Sequence, residues 1–142
     1  MQIDRMDMVY YQRQVQKLIR LLLPTKHPRL TVSECELLAW LYLDQEENTP
    51  VLLSRHSGMK KEAVSRCLKS LIEKNCIRKE KQLHDERSYR IYLTETGIAE
   101  LKQGYEIILQ PFYDLWHTAG AEFEAFLQCT DRLMTQIETK KE

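Results

Sequence analysis

Between Lys60 and Gly97 the chain reads KKEAVSRCLKSLIEKNCIRKEKQLHDERSYRIYLTETG, and this stretch restricts the fold more than any other. Lys61, Glu62, Ser65, Arg66, Lys69 and Glu73 recur at helical spacing and share one side; Val64, Cys67, Leu68, Leu71 and Ile72 take the other. Such a helix lies on a core and turns a charged stripe outward. From Tyr89 the period changes to two. Tyr89, Ile91 and Leu93 alternate with Arg90 and Tyr92, as in a half-buried strand. Ile77 to Gln82 can pair with it as a hairpin, with His84, Asp85, Glu86 and Arg87 expected in the loop at its tip.

The residues upstream supply a first helix and a turn. Thr49-Pro50 is a start signal, with Thr as cap and Pro at the first helical position. A short helix from Val51 to Ser57 then ends at Gly58, and Gly58 to Lys60 is a turn into the next helix. Earlier still, Thr31 and Glu34 form a capping box, with Leu37, Leu38, Leu41 and Tyr42 expected to face inward and Trp40 on the same helix. Helix, Gly-containing turn, helix and hairpin together predict a winged helix-turn-helix. On pattern alone, a solvated amphipathic helix beside a hairpin fits as well.

The particular residues narrow the choice. Asp85, Arg87, Leu93, Thr94 and Gly97 fall without a gap on the pattern Asp-x-Arg, short strand, Leu-Thr-x-x-Gly. This segment resembles the wing of the MarR family of bacterial transcriptional regulators. Ala63 to Asn75 is similar to that family's recognition helix, with Ser65 and Arg66 in register, and Leu30-Thr31 with Glu36, Leu37 and Leu38 resembles the opening helix of its DNA-binding part. The likeness runs from Leu30 to Gly104. Two positions depart from the family. Asn75 stands where Gly is usual, and Asn is the next-best residue for a left-handed helix end. Lys60 stands where Asp or Ser is usual; it cannot cap amide donors, but adds a positive charge where a phosphate can lie.

The resemblance implies a mainly α fold with a small β-hairpin wing, flanked by N- and C-terminal dimerisation helices. On that reading residues 1–142 are one domain, with 30–100 as the DNA-binding part and 1–29 and 101–142 as the helices that form a homodimer. It also implies double-stranded DNA as partner and a pseudo-palindromic operator. Lys60, Lys61, Ser65, Arg66 and Lys69 are expected at the major groove, with Arg87, braced by Asp85, and Arg90 on the wing beside the minor groove. Family members often bind a small ligand between the dimer helices and the winged part, where Tyr11, Trp40 and Trp116 are candidate aromatic walls.

Charge distribution supports a nucleic-acid partner although the net charge is zero. Lys60 to Arg90 holds ten Lys/Arg against five Asp/Glu, and the remainder carries the opposite imbalance. The terminal segments add apolar surface. Met8, Tyr11, Val15, Leu18 and Leu22 stripe a helix over Asp4 to Leu23, with Ile3, Met6, Tyr10, Ile19 and Leu23 beside them. After the wing, Thr94 caps a helix carrying Leu101, Tyr105 and Ile108, which Pro111 is expected to break near Gln110. A last helix over Ala121 to Thr139 bears Phe123, Phe126, Leu127, Thr130, Leu133, Met134 and Ile137 at three-four spacing.

Several function classes are disfavoured. No apolar run approaches the roughly 20 residues of a membrane helix, and the N-terminus has no signal-peptide pattern, so a cytoplasmic location is expected. There is no Gly-rich phosphate loop, nucleophile elbow or metal-ligand spacing; neither enzyme activity, cofactor nor metal is expected. Cys35, Cys67, Cys76 and Cys129 show no Cys-x-x-Cys. Cys76 is the one thiol expected to be exposed, near Lys74, Arg78 and Lys79; the other three are expected in packed positions. Thiol-sensing relatives carry their reactive cysteine in the first helix, and none occurs there. Two alternatives therefore stand beside a ligand-modulated regulator: a winged helix used only for protein docking, and a thiol-based redox sensor.

Overall fold

The computed structural model of the protein describes residues 1–46, 48–82 and 85–141, with the backbone alone at 85–88. Seven helices and one hairpin follow in the order α1 (Arg5–Leu22), α2 (Val32–Leu43), α3 (Pro50–Ser57), α4 (Lys61–Glu73), β1 (Ile77–Gln82), β2 (Asp85–Leu93), α5 (Glu95–Ile108), α6 (Gln110–Ala119) and α7 (Ala121–Thr139). The chain forms two compact units, one of residues 26–108 and one of residues 1–25 with 109–142.

The 26–108 unit is built on a continuous apolar core. Leu30, Leu37, Leu38, Leu53, Val64, Leu68, Leu71 and Ile91 are all buried. Local sequence explains why each helix starts and stops where it does. Thr31 Oγ1 accepts from the Glu34 amide (3.1 Å) and Glu34 returns to the Thr31 amide (3.4 Å). Thr49 Oγ1 accepts from the Leu52 amide at 3.3 Å, with Pro50 opening α3. Tyr42, expected inward, is exposed, because it lies in the last turn of α2, beyond the part of that helix the core covers.

The hairpin pairs antiparallel, from Ile77 opposite Leu93 to Lys81 opposite Tyr89, with an irregularity at Lys81/Gln82. Ile91 is buried and Tyr89, Tyr92 and Leu93 are half-buried. The expected loop is shorter than the sequence pattern implied: Asp85, Glu86 and Arg87 belong by backbone to β2, because pairing resumes at once with Asp85 opposite Gln82. A further backbone bond, Ile91 amide to Asn48 carbonyl at 2.8 Å, extends the pairing from β2 to the segment before α3.

The other unit holds α1, α6 and α7, with α6 in contact with both others. Asp4 and Asp7 cap α1 reciprocally. α5 ends at Ile108 and α6 begins at Gln110 with Pro111 in its first turn, so the break falls where the proline requires it. Phe123 packs against Phe112 and is the one buried residue of these three helices. Met6, Val15, Ile19, Leu133 and Ile137 are exposed in the single chain.

Candidate nucleic-acid interface

The turn between α3 and α4 sets how α4 is presented. Gly58 takes φ +74° and ends α3 through its amide to the Ser54 carbonyl. Ser54 Oγ donates to the Met59 carbonyl (2.7 Å) and Ser57 Oγ accepts from the Met59 amide (3.1 Å). Two serines thus fix the turn from the α3 side. Lys60 then stands at the start of α4 with extended backbone and no side-chain cap, as its chemistry requires. The free amides of the first turn face outward beside Lys60 and Lys61, which makes that end attractive to a phosphate.

Val64, Leu68 and Leu71 hold one side of α4 in the core, while Lys60, Lys61, Ser65, Arg66 and Lys69 are all exposed. The structure therefore brings the five sequence-derived candidates of this region onto one open surface. Arg90 is exposed on β2, and the Asp85 and Arg87 side chains lie outside the described residues. Near the wing base, the Arg78 guanidinium lies 4.8 Å from the centre of the Tyr92 ring and pairs with Glu80; Lys79 Nζ lies 4.3 Å from that of Tyr89.

The far end of α4 is anchored by contacts that local pattern could not reveal. Lys74 Nζ reaches both carboxylate oxygens of buried Glu34 (3.0 and 3.1 Å) and Ser70 Oγ donates to it at 3.3 Å. Glu34 therefore caps α2 and ties it to α4 with one carboxylate. Asn75 follows with φ +59°, the left-handed end expected of it. The amides of Asn75 and Cys76 turn back to the carbonyls of Ile72 (3.0 Å) and Leu71 (2.9 Å), which closes the helix in a Schellman motif.

The same corner explains Leu93-Thr94-x-x-Gly97. Thr94 Oγ1 donates to the Asn75 carbonyl (2.6 Å) and accepts from the Gly97 amide (3.0 Å), while the Thr94 amide bonds to the Cys76 carbonyl (3.1 Å). A Cβ on Gly97 would lie 2.1 Å from the Cys76 carbonyl oxygen. The end of the recognition helix, the wing and the next helix are thus locked at one point.

The thiols differ from expectation. Cys76, expected exposed, is fully buried, because the helix-end turn directs it inward beside the start of α5. Burial, then the nearby Glu100, pushes its pKa up, opposite to thiolate activation. Cys35 is also buried, its pKa pushed up to about 11 by loss of solvent and then by Glu34. Cys129, expected packed, is exposed in the single chain because α7 is covered on so little of its surface.

The aromatic candidates are divided between the units. Trp40 packs against the His56 ring at 5.8 Å in the first unit. Tyr11 lies edge-on to Tyr10, and Trp116 donates to Glu124 (3.0 Å) beside Tyr113, in the second. Among the described residues, no group of three or more His, Cys, Asp or Glu is arranged to hold a metal ion, and no helix is long and apolar enough to cross a membrane.

With this geometry in hand, comparison with known proteins is decisive. The family described as transcriptional regulator SarA/Rot matches residues 17–103, well over half of the chain. The chain belongs to the SarA/Rot family of transcriptional regulators. Its architecture is the winged helix of MarR-type regulators. It superposes on MarR of E. coli complexed with operator DNA at TM-score 0.68 and 21% identity, covering 94% of this chain and 98% of that one. The S. aureus MepR–DNA complex gives TM-score 0.70 and 19% identity over 94% and 96%. PcaV of Streptomyces coelicolor with its natural ligand gives 0.66 and 13% over 96% and 97%. No curated protein sequence matches the chain. For a SarA/Rot regulator, sequence pattern missed two features of the wing base: the buried Asn48 and the Arg78–Tyr92 stack. Asn48 carries no local signal; Arg78 opposite Tyr92 is readable once the register is known.

Proposed function

We propose that this SarA/Rot regulator is a homodimer that reads a pseudo-palindromic DNA operator. The observation that carries the reading is α4: Lys61, Ser65, Arg66 and Lys69 share an exposed face while Val64, Leu68 and Leu71 fix the opposite one. A helix so held can enter a major groove, with Lys60 and Lys61 at phosphates and Ser65, Arg66 and Lys69 at phosphates or base edges. Arg87, braced by Asp85, and Arg90 would extend the contact to the minor groove. Support comes from the relatives in which MarR and MepR are complexed with DNA. The dimer reading is supported by the exposed apolar side chains of α1 and α7. A docking module without DNA binding would not need this concentration of positive charge.

The same reading includes modulation by a small ligand, supported by the PcaV complex with its natural ligand and by the aromatic side chains Tyr11, Trp40 and Trp116. A redox mechanism through Cys76 has no such support, given its burial.

The experiment is a set of binding isotherms on specific and random duplex across salt. Arg87→Ala should weaken specific binding by about 1–3 kcal/mol, and Lys61→Ala should weaken all duplexes alike and lower the salt slope by roughly one. Arg66→Ala should relax base preference. Unchanged specific binding in both arginine variants would refute the reading.

A further inference from the structure

The base of the wing contains an open cavity of about 660 Å³, within the 26–108 unit and away from the α4 face. Its walls are Leu41 and Ile98 on the apolar side, and its polar groups come in two kinds. Arg78 and Arg90 supply positive charge from the hairpin, and Arg90 has no ion-pair partner among the described residues. Asn48 and Glu46 supply acceptors from the loop after α2. Asn48 is 97% buried, at 3% exposure, and its Oδ1 has no hydrogen-bond partner. An orphaned buried carbonyl costs about 1–3 kcal/mol, so it calls for a donor. Its backbone is not free to move away, because the Asn48 carbonyl holds the Ile91 amide.

We propose that this cavity binds a small zwitterion, an α-amino acid with a large apolar side chain. The carboxylate faces Arg90 and Arg78, the ammonium donates to Asn48 Oδ1 and is neutralised by Glu46, and the side chain lies against Leu41 and Ile98. An anion alone would leave Asn48 unanswered, and a cation alone would meet two arginines. The volume lies in the range of small-molecule sites. The inference does not depend on DNA reading or on the aromatic side chains discussed above.

Isothermal titration of the DNA-free protein with L-leucine and L-phenylalanine tests it, with acetate, N-acetyl-L-leucine and L-leucinamide as controls. At least one amino acid should bind saturably, and each control should bind roughly tenfold more weakly or not at all, a loss of about 1.4 kcal/mol. Asn48→Leu and Arg78→Ala should each raise Kd about tenfold or more, whereas Asn48→Asp should retain binding. Arg78→Ala alters an exposed side chain and keeps the test valid if Asn48→Leu fails to fold. Absence of saturable binding by either amino acid, meaning a cavity that holds water only, would overturn the proposal. So would equal affinity for acetate, meaning a simple anion site.

Discussion

The two compact units are made from similar amphipathic helices and end in opposite states. In the 26–108 unit the apolar faces of α2, α3, α4 and α5 meet one another and the hairpin, and Leu37, Leu38, Leu53, Leu68 and Leu71 vanish from the surface. In the unit of 1–25 and 109–142, α1, α6 and α7 carry apolar stripes of the same spacing, yet Phe123 alone is buried. The difference does not lie in apolar content. An apolar stripe specifies that a helix will be covered; it does not specify by which chain. The first unit supplies its own second layer, and the second leaves that layer to a partner. Division of labour follows: a self-sufficient core can hold a reading helix rigid, while an incomplete one can make association a condition of function.

The largest expected effect contrasts the two directly. Leu68→Ala should cost about 2–5 kcal/mol in urea unfolding, because Leu68 is fully buried and the core cannot collapse around the gap. Leu133→Ala, on an exposed position of α7, should change the stability of dilute protein by no more than about 0.5 kcal/mol. Leu133→Glu should instead move the mass measured by light scattering from dimer to monomer, and DNA affinity should fall with it. Equal unfolding losses for the two alanine variants in dilute protein would break the comparison, since the second unit would then have a core of its own.

What the sequence made legible follows the same division. Periodicity located every helix, and caps set their ends: Thr31 with Glu34, Thr49 with Pro50, Asn75 in the left-handed region, the break at Pro111. The basic face of α4 was legible because local spacing alone decides it. The failures share one cause, contacts between residues far apart in sequence. Cys76 stands among Lys74, Arg78 and Lys79, which reads as surface; the Schellman turn and the approach of Gly97 bury it instead. Glu34 reads as a cap, and nothing nearby announces Lys74 as its partner. Asn48 reads as loop, and its burial depends on β2 reaching it through Ile91. Tyr42 was assigned inward by period, which ignores where the core ends.

Gly97 sharpens the view that the first unit is rigid around its corner. Gly97→Ala places a methyl 2.1 Å from a backbone oxygen that cannot swing aside, so either α5 or the helix end must shift. A loss of about 3 kcal/mol is expected, the upper part of the range for overpacking. Gly58→Ala, where a Cβ meets open space but φ is +74°, should cost less, about 1 kcal/mol. Thermal unfolding of the two variants checks the order; a reversed order would mean that the corner is softer than its contacts imply.

The buried thiols give the self-sufficient unit a pH signature. Cys35 keeps its proton to about pH 11 when folded, against 9.0 for the free side chain. Between those values the unfolded chain loses a proton that the folded chain retains, so stability is complete below pH 9 and falls as pH rises toward 11. The loss amounts to about 2–3 kcal/mol for this group alone. Burial raises Cys67, Cys76 and Tyr105 in the same direction, so they steepen the fall. Urea unfolding from pH 8 to 11 should show the decline, and Cys35→Ala should flatten it. A flat profile in the wild type would show that solvent reaches the core.

The smallest expected effect concerns oxidation, and it again separates the units. A thiol reagent should modify Cys129 first, since it is exposed on α7, unless association covers it. Cys35 and Cys76 should react only as fast as the first unit opens, because the thiolate is the nucleophile and burial suppresses it in both. Dimer formation should slow the reaction of Cys129 and leave that of Cys76 unchanged, so reaction rates measured across protein concentration report on the two units independently. Peroxide at moderate dose should leave DNA affinity unaltered, and Cys76→Ser should behave as the wild type does. If peroxide releases the wild type from DNA and spares Cys76→Ser, the corner of Asn75, Cys76 and Thr94 opens often enough to sense oxidants. The self-sufficient unit would then be the mobile one, and the contrast between the units would have to be drawn the other way.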